Sequence, residues 1–362
     1  MPVIDRVDAD LYLIPLKETL TDSMHGEMRG FEIISARVTD AEGAEGVGYT
    51  FTCGRNGGAV LATMREIAEI VAGEDAERIE HLWRKIWWAT HYGGRGGPTV
   101  LALSAFDIAL WDLAAKRAGR PLWRHLGGAD PEVKAYAGGI DLMLTADELI
   151  AQTEANLAKG FRAIKMKVGR DRLAEDVEKV AAMRAFLGDG FPLMLDANMK
   201  YTADEAIRAA RAFAPHDPFW LEEPVEPDDV QGNARVVAHG GLPVANGENL
   251  RTLHDFKTFI AAGAVTFPEP DVTNCGGVTN FMKIAKLAEA FGLPVTSHGA
   301  HDVTVHLLAA APNASYLEAH GFGLDEFIAS PLTLDDGIAR APERPGHGIE
   351  FDWKGLEKLR RT

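Results

Sequence analysis

Cysteine is almost missing from this chain. Cys53 and Cys275 are the only two in 362 residues, too few to brace a chain of this length with disulfides. Positive charge is also scarce: 37 lysines and arginines stand against 53 aspartates and glutamates, a formal net charge of −16. Nucleic acids and anionic membrane surfaces both demand clustered Lys and Arg, so neither is expected as a partner. An acidic small molecule is not excluded, because a metal ion and a few buried lysines set the local field whatever the global charge. No uninterrupted apolar run approaches the length of a membrane-spanning helix. The opening MPVIDRVDADLYLIP breaks its apolar stretches with Asp and Arg, so no secretory signal is expected. A cytoplasmic protein with reduced thiols is the expectation from these absences.

What is present is an ordinary globular composition, 46% hydrophobic and 25% charged. The length allows a large core and more than one domain. Residues 1–125 read as an α+β domain. Strands are expected at 4–14, 31–38 and 46–51. A polar loop, 17–30, joins the first two and holds Asp22, His25, Glu27 and Arg29. The glycine-rich run Cys53-Gly54-Arg55-Asn56-Gly57-Gly58 follows the third. Helical periodicity covers 60–72, 78–88 and 98–118. The last stretch carries Leu103, Phe106, Ile108, Leu110, Trp111 and Leu113, too apolar for a surface helix, so it is expected in the core.

Residues 126–325 read differently. Short apolar runs at 133–140, 163–168, 192–196, 219–223, 243–248, 265–271, 294–298 and 316–319 alternate with amphipathic stretches. Eight such alternations fit a closed (β/α)8-type barrel, a modified TIM barrel, better than an open sheet. After Gly321 the repeat dissolves into proline- and glycine-rich coil. Residues 326–362 end in Phe351-Asp352-Trp353 and a short basic helix, a tail expected to return to the first domain.

Polar residues recur at the ends of the barrel strands: Lys165-Met166-Lys167, Asp196, Glu222, Glu248, Asp271, His298 and Glu318. Parallel barrel strands bring such ends to one mouth. A lone carboxylate there is usually a helix cap or a solvated charge. Asp196, Glu222 and Glu248 on three consecutive strands would repel one another if unpaired, so together they call for a divalent cation. All-oxygen ligands favour Mg²⁺, with Mn²⁺ a substitute. Glu223 adjoins Glu222, and only one of the two can face the mouth.

Lys165 and Lys167 share one face of a buried strand. As neighbouring ammonium groups they depress one another's pKa, which would leave one of them a base near neutral pH. His298 has Asp271 on the adjacent strand, a pairing that fixes the tautomer of the ring. Glu318 reads either as a structural ion-pair partner or, if protonated, as a hydrogen-bond donor.

The motifs Lys165-Met166-Lys167, Asp196-Ala197-Asn198, Glu222-Glu223-Pro224, Gly247-Glu248-Asn249, Pro270-Asp271 with Cys275-Gly276-Gly277, Ser297-His298 and Leu317-Glu318 together resemble the enolase superfamily, in its mandelate racemase subgroup. The resemblance spans nearly the whole chain. It implies a capping domain over the barrel mouth and Mg²⁺ on Asp196, Glu222 and Glu248. It implies Lys167 as the base on one face of the substrate and His298, backed by Asp271, on the other. Lys165 would touch the substrate carboxylate, and Glu318 would hydrogen-bond the developing enolate. Lys or His bases beside Mg²⁺ are an established pattern of the superfamily. Muconate-lactonising relatives carry a second lysine at the end of the sixth strand. This chain has Pro270-Asp271-Val272-Thr273 there, which argues against that subgroup.

Lys17, His25 and Asn198 are the residues expected to contact substrate, and Lys17, His25 and Arg29 suit a polyhydroxylated ligand. The expected reaction removes the proton alpha to the carboxylate of a sugar acid or anhydro-sugar acid and then expels a beta oxygen. Dehydration of an acid sugar and racemisation or epimerisation of a 2-hydroxy acid use the same enolate. A non-catalytic barrel would usually have lost a ligand or a base, and none is missing. The resemblance also implies a homo-oligomer, dimers or octamers, with Trp83, Trp87 and Trp88 at an interface or in the core.

Overall fold

The computed structural model describes residues 2–320 and 323–361. Gly321, where the repeat was expected to end, lies outside the described residues. The N-terminal part is an antiparallel sheet of β1 (Ile4–Asp22), β2 (Gly26–Asp40) and β3 (Glu45–Thr52). Helices α1 (Gly57–Val71), α2 (Ile79–Thr90) and α3 (Gly97–Arg117) pack on it, and α4 (Leu122–His125) leads to the barrel. By length and composition alone α3 is apolar enough to cross a membrane, although charged residues interrupt its apolar run. Here it is the central core helix. Leu103, Phe106, Ile108, Leu110 and Leu113 are each at most 1% exposed, and burying each is worth roughly 1.5–3 kcal/mol. β3 meets α3 through Gly46 and Gly48. A Cβ on Gly48 would stand 2.1 Å from the Ala105 carbonyl oxygen, so this approach admits only glycine.

The barrel strands are β4 (Glu132–Gly138), β5 (Ile164–Lys167), β6 (Leu193–Asp196), β7 (Trp220–Glu222), β8 (Val244–Asn246), β9 (Phe267–Pro268), β10 (Val295–Ser297) and β11 (Ala314–Ala319). β4 to β9 pair in parallel and in sequence order, and β11 pairs with both β10 and β4. β9 lies beside β10 and completes the ring. Between the strands run α5 (Ala146–Ala158), α6 (Leu173–Leu187), α7 (Ala203–Phe213), α8 (Val230–His239), α9 (Leu253–Ala261), α10 (Gly277–Ala290) and α11 (His301–Ala309). α5, α7 and α9 open with capping boxes at Thr145, Thr202 and Thr252, each satisfying backbone donors that a helix start leaves orphaned. Among the described residues β11 is followed by a 3-10 turn, Leu324–Phe327, rather than an eighth long helix.

The tail forms the small hairpin β12 (Leu334–Asp335) and β13 (Ile338–Arg340), which pairs with β4, then α12 (Trp353–Glu357) and β14 (Arg360–Arg361). β14 adds to the edge of β1, with Tyr12 opposite Arg360. The tail therefore touches both barrel and cap.

Cap and barrel dock where α3 meets the start of α10. Thr279 donates from its backbone N–H and its hydroxyl to the Asp107 carboxylate at 2.8 and 2.6 Å. Burial pushes Asp107 up to about 7 despite those bonds. A Cβ on Gly277, at φ +79°, would stand 2.4 Å from Asp107 Oδ2, which explains the second glycine of Cys-Gly-Gly. Trp83 Nε1 donates to the Gly276 carbonyl at 2.8 Å and its ring stacks on Trp87. These two tryptophans belong to the docking seam and the core, whereas Trp88 is 60% exposed.

Candidate active site

Strand register builds the barrel mouth. Lys167 pairs with Asp196, and Asp196 with Glu222, so three chemically active side chains end consecutive strands at one level. Glu248, Asp271 and His298 follow just beyond β8, β9 and β10, and Glu318 sits inside β11. Beneath them Tyr136 and Trp220 pack edge to face at 5.5 Å and floor the site with apolar bulk. Four non-glycine residues with positive φ, Asn198, Met199, Glu223 and Ala300, lie in the loops of this mouth. Such strained backbone persists where surrounding structure over-determines it, typically at functional sites.

Asp196, Glu222 and Glu248 each offer an oxygen, and these oxygens lie within 4.8 Å of one another. Asp196 and Glu222 are fully buried. Glu223 lies outside this group: Asn249 Nδ2 donates to both its oxygens at 3.0 Å and reaches Glu248 Oε1 at 3.4 Å, so Glu222 is the member of the pair that joins the triad. Burial and the neighbouring Asp196 push Glu222 up to about 8. That is the signature of carboxylates crowded without enough positive charge. Three carboxylate oxygens, two of them on buried residues and all hard donors, fit Mg²⁺.

The two lysines lie among these carboxylates. Lys165 Nζ lies 2.7 Å from Glu222 Oε1 and 2.8 Å from Glu318 Oε1, and Lys167 binds Asp196. Burial works against the charge of Lys167, and Lys165 does push its pKa down, as expected from the sequence. Asp196, Glu248 and Glu222 together outweigh both and hold Lys167 above the usual range. The carboxylates that raise it are the same three that would hold the metal, so a bound cation would offset their pull and leave the mutual depression of the two lysines.

Of the two readings of Glu318, the structure shows the ion pair, with Lys165 Nζ 2.8 Å from its Oε1. Burial would raise its pKa, but Lys165 and His298 hold the carboxyl below the usual range. It accepts from the Gly299 N–H at 2.9 Å. Among such cations it is a carboxylate acceptor, not the protonated donor the sequence reading allowed.

His298 Nδ1 lies 2.8 Å from Asp271 Oδ2, and its Nε2 lies 3.2 Å from Glu248 Oε2. Asp271 is itself fixed by the Thr273 N–H and hydroxyl at 2.7 and 2.6 Å. Burial opposes charge on His298, but Glu248, Glu318 and Asp271 outweigh it and raise its pKa well above the ordinary value.

A cavity of about 310 Å³ lies over these groups, with Lys167, Glu248 and His298 on its barrel side. That is small-molecule size. The cap closes it. The stretch expected as a loop at 17–30 is instead the extended end of β1 and β2, with Asp22 opposite Gly26 across a tight turn. This hairpin is pinned to the barrel. Ser23 Oγ donates to the Ala197 carbonyl at 2.7 Å, and the Leu142 N–H donates to the Thr21 carbonyl at 3.1 Å. Asp141 carries the link to the chemistry, accepting from the Lys167 backbone N–H at 2.9 Å.

His25 lines the cavity, with Nδ1 2.7 Å from Asp22 Oδ2. Asn198 lines it too, and its buried Oδ1 has no hydrogen-bond partner in the described structure. Lys17 does not. Its side chain is 80% exposed and pairs with Glu326. Arg29 is likewise outward, paired with Glu27. A register shift between Pro15 and Leu20 decides which side chains of this ribbon face in, and composition cannot reveal it. Asn274, like Thr52 and Arg251, is one of the lining residues that the sequence reading left without a role. Its buried Oδ1 is also unpartnered. The signal was its place directly before Cys275-Gly276-Gly277.

Residues 21–127 match the N-terminal domain model of mandelate racemase and muconate lactonizing enzyme, and residues 148–355 match the enolase C-terminal domain-like model. The chain is 55% identical over 359 residues to the 3,6-anhydro-alpha-L-galactonate cycloisomerase of Streptomyces coelicolor, covering 99% of each. A crystal structure of a racemase from Streptomyces coelicolor A3(2) with bound magnesium superposes with TM-score 0.97 at 53% identity, covering 99% of this chain and 100% of that one. The Salmonella typhimurium L-talarate/galactarate dehydratase, liganded with Mg and L-lyxarohydroxamate, gives TM-score 0.95 at 33% identity, covering 99% of this chain and 93% of that one. The capped barrel, the carboxylate triad and these likenesses agree: the chain belongs to the mandelate racemase/muconate lactonizing enzyme group of the enolase superfamily and is a magnesium-dependent enzyme.

Proposed function

We propose that this enzyme opens the ring of 3,6-anhydro-L-galactonate, yielding a 2-keto-3-deoxy sugar acid. The single observation that favours ring opening over loss of water is the end-to-end 55% identity to the Streptomyces cycloisomerase, against 33% to the dehydratase structure. The cavity supports the same reading. Asn198 and Asn274 present buried amide oxygens without donors, and a buried acceptor left unpaired costs about 1–3 kcal/mol. Substrate hydroxyls would satisfy them. Met28, Phe31 and Phe51 form an apolar wall on the cap side, suited to the C–H face of a compact ring.

In this reading Asp196, Glu222 and Glu248 hold Mg²⁺. When bound, the ion supplies positive charge against the enolate oxygens and offsets the three carboxylates. Lys165, wholly buried among those carboxylates, adds a fixed positive charge beside the substrate carboxylate. Lys167 or His298 takes the alpha proton, according to the face that carries it, and the other stands across the substrate. Asp271 holds the His298 ring so that Nε2 points to the reacting carbon. Glu318, as a carboxylate, orients Lys165 and the Gly299 backbone. The pinned hairpin keeps water out, which strengthens every charge interaction inside.

Mass spectrometry of the product tests the choice. With magnesium present, the anhydro acid should give a product isobaric with it. An inert anhydro acid, with open sugar acids losing water instead, would make the enzyme a dehydratase. Self-association belongs to the same proposal. Its support is the exposure of Trp88 and Tyr92, at 60% and 96%, around the end of α2. A monomer by light scattering at micromolar concentration would count against it.

A further inference from the structure

The cap carries a second histidine–carboxylate pair. Asp22 Oδ1 accepts from the backbone N–H groups of Met24 and His25 at 2.9 and 2.6 Å and so shapes the hairpin turn. Its other oxygen, Oδ2, lies 2.7 Å from His25 Nδ1. Asp22 is only 8% exposed. His25 Nε2 makes no hydrogen bond among the described residues, and the ring lines the same cavity as Lys167 and His298. The turn is not a loose tip. Ser23 and Thr21 tie it to the ends of β6 and β4 through the Ala197 carbonyl and the Leu142 N–H. The imidazole is therefore held in position by backbone, carboxylate and barrel together.

We propose that His25, oriented by Asp22, is the acid that protonates the departing ring oxygen. This rests on the ring-opening reading above. The carboxylate end of the substrate must sit low, beside Lys165 and the acidic triad, so the ether oxygen faces the cap. Three cap residues lining the cavity carry a transferable proton: His25, Cys53 and Arg55. Cys53 is exposed and a thiol is a weaker acid than an imidazolium, and a guanidinium does not give up its proton in proteins. An imidazolium is the remaining donor with a proton available near neutral pH. Asp22, by hydrogen bond and charge, outweighs burial and raises the His25 pKa, favouring that cation.

The step balances. A barrel base takes the C2 proton, and that bonding pair becomes the enolate. The pair then forms the C2–C3 double bond as the C3–O bond breaks, and its electrons remain on oxygen. His25 Nε2 gives that oxygen a proton, making the C6 hydroxyl. The enol then becomes the ketone: C3 gains a proton and the enol hydroxyl releases one. Neutral His25 keeps its Nδ1–H toward Asp22 and recovers a proton from water.

Proton abstraction and ring opening separate in D₂O with the magnesium-loaded enzyme. His25→Gln retains side-chain polarity, and the turn remains held by Asp22 and Ser23. Ring opening should fall by about 100-fold or more. Exchange of the C2 proton should continue, so recovered substrate carries deuterium. Asp22→Asn should lower opening less than His25→Gln does, again with exchange retained. Opening within about 3-fold of wild type in His25→Gln would overturn the assignment. So would a parallel fall of exchange and opening, which would make His25 a binding residue only. Wild-type enzyme that neither exchanges nor opens the anhydro acid would overturn the ring-opening reading itself.

Discussion

At the level of single residues, the site is an arrangement of opposite charges in direct contact. Lys167 lies against Asp196 and His298 against Asp271 and Glu248. Each is positioned by a carboxylate and each reaches the same cavity. Lys167→Ala and His298→Asn should each lower kcat by about 10²–10⁴-fold, with circular dichroism spectra unchanged. Full activity in either variant would remove it from the proton-transfer step. Lys17→Ala should leave kcat/KM within about 2-fold, since its ammonium points to solvent and Glu326. A large rise in KM would reinstate it as a substrate contact. The triad, the lysines and the His–Asp pair were legible because barrel rhythm and residue type both pointed to them. Lys17 was misread because its facing depends on the irregular pairing between Pro15 and Leu20. The ionisation of Glu318 was illegible for another reason: it depends on which cations come within 4 Å, and spacing along the chain does not specify that.

At the level of elements, the barrel was the clearest part. All eight strands and the seven helices between them fall close to where periodicity put them, because each unit repeats one hydrophobic pattern. The cap hairpin was the least clear. Polar residues on a two-stranded ribbon look like a loop when neither face is a continuous core. The β3–α3 contact offers a direct test of packing. Gly48→Ala puts a methyl 2.1 Å from the Ala105 carbonyl oxygen. It should cost at least about 2 kcal/mol, read as a lower denaturation midpoint. No loss of stability would mean that strand and helix are not this close.

At the level of the whole molecule, two buried histidines tie tail, cap and barrel together. His347 Nε2 donates to the Val47 carbonyl at 2.7 Å, and its Nδ1 accepts from the Ile349 N–H at 3.1 Å. His306 Nε2 donates to the His347 carbonyl at 3.0 Å, and its Nδ1 accepts from the Trp123 N–H at 3.3 Å. Each ring uses one donor and one acceptor, so each is neutral. Burial and the neighbouring His347 push His306 down to about 3, and burial lowers His347 as well. The unfolded chain binds protons on these rings below the ordinary pKa of about 6.5, whereas the folded chain does not. Their contribution to stability is therefore complete above about pH 6.5. It declines as pH falls through the window toward about 3 for His306. The slope is about 1.4 kcal/mol per pH unit for each ring while it remains neutral in the fold. His25, His298 and His301, with raised pKa values, act in the opposite sense. The test therefore compares urea midpoints of wild type and His306→Gln from pH 7.5 to 5, where the wild type should lose more stability than the variant. An equal loss in both would mean that His306 is not neutral in the fold. Sequence could not reveal this junction, because its members lie on β3, α4, α11 and the tail.

The most direct test of the chemistry is proton NMR of the enzyme with 3,6-anhydro-L-galactonate in D₂O, with magnesium and again with EDTA. Magnesium-dependent ring opening, with solvent deuterium at C3 of the keto acid and no reaction after chelation, is the expected result. Turnover undiminished by EDTA, or a C2 proton that neither exchanges nor is lost, would contradict enolate formation at this metal-supported site.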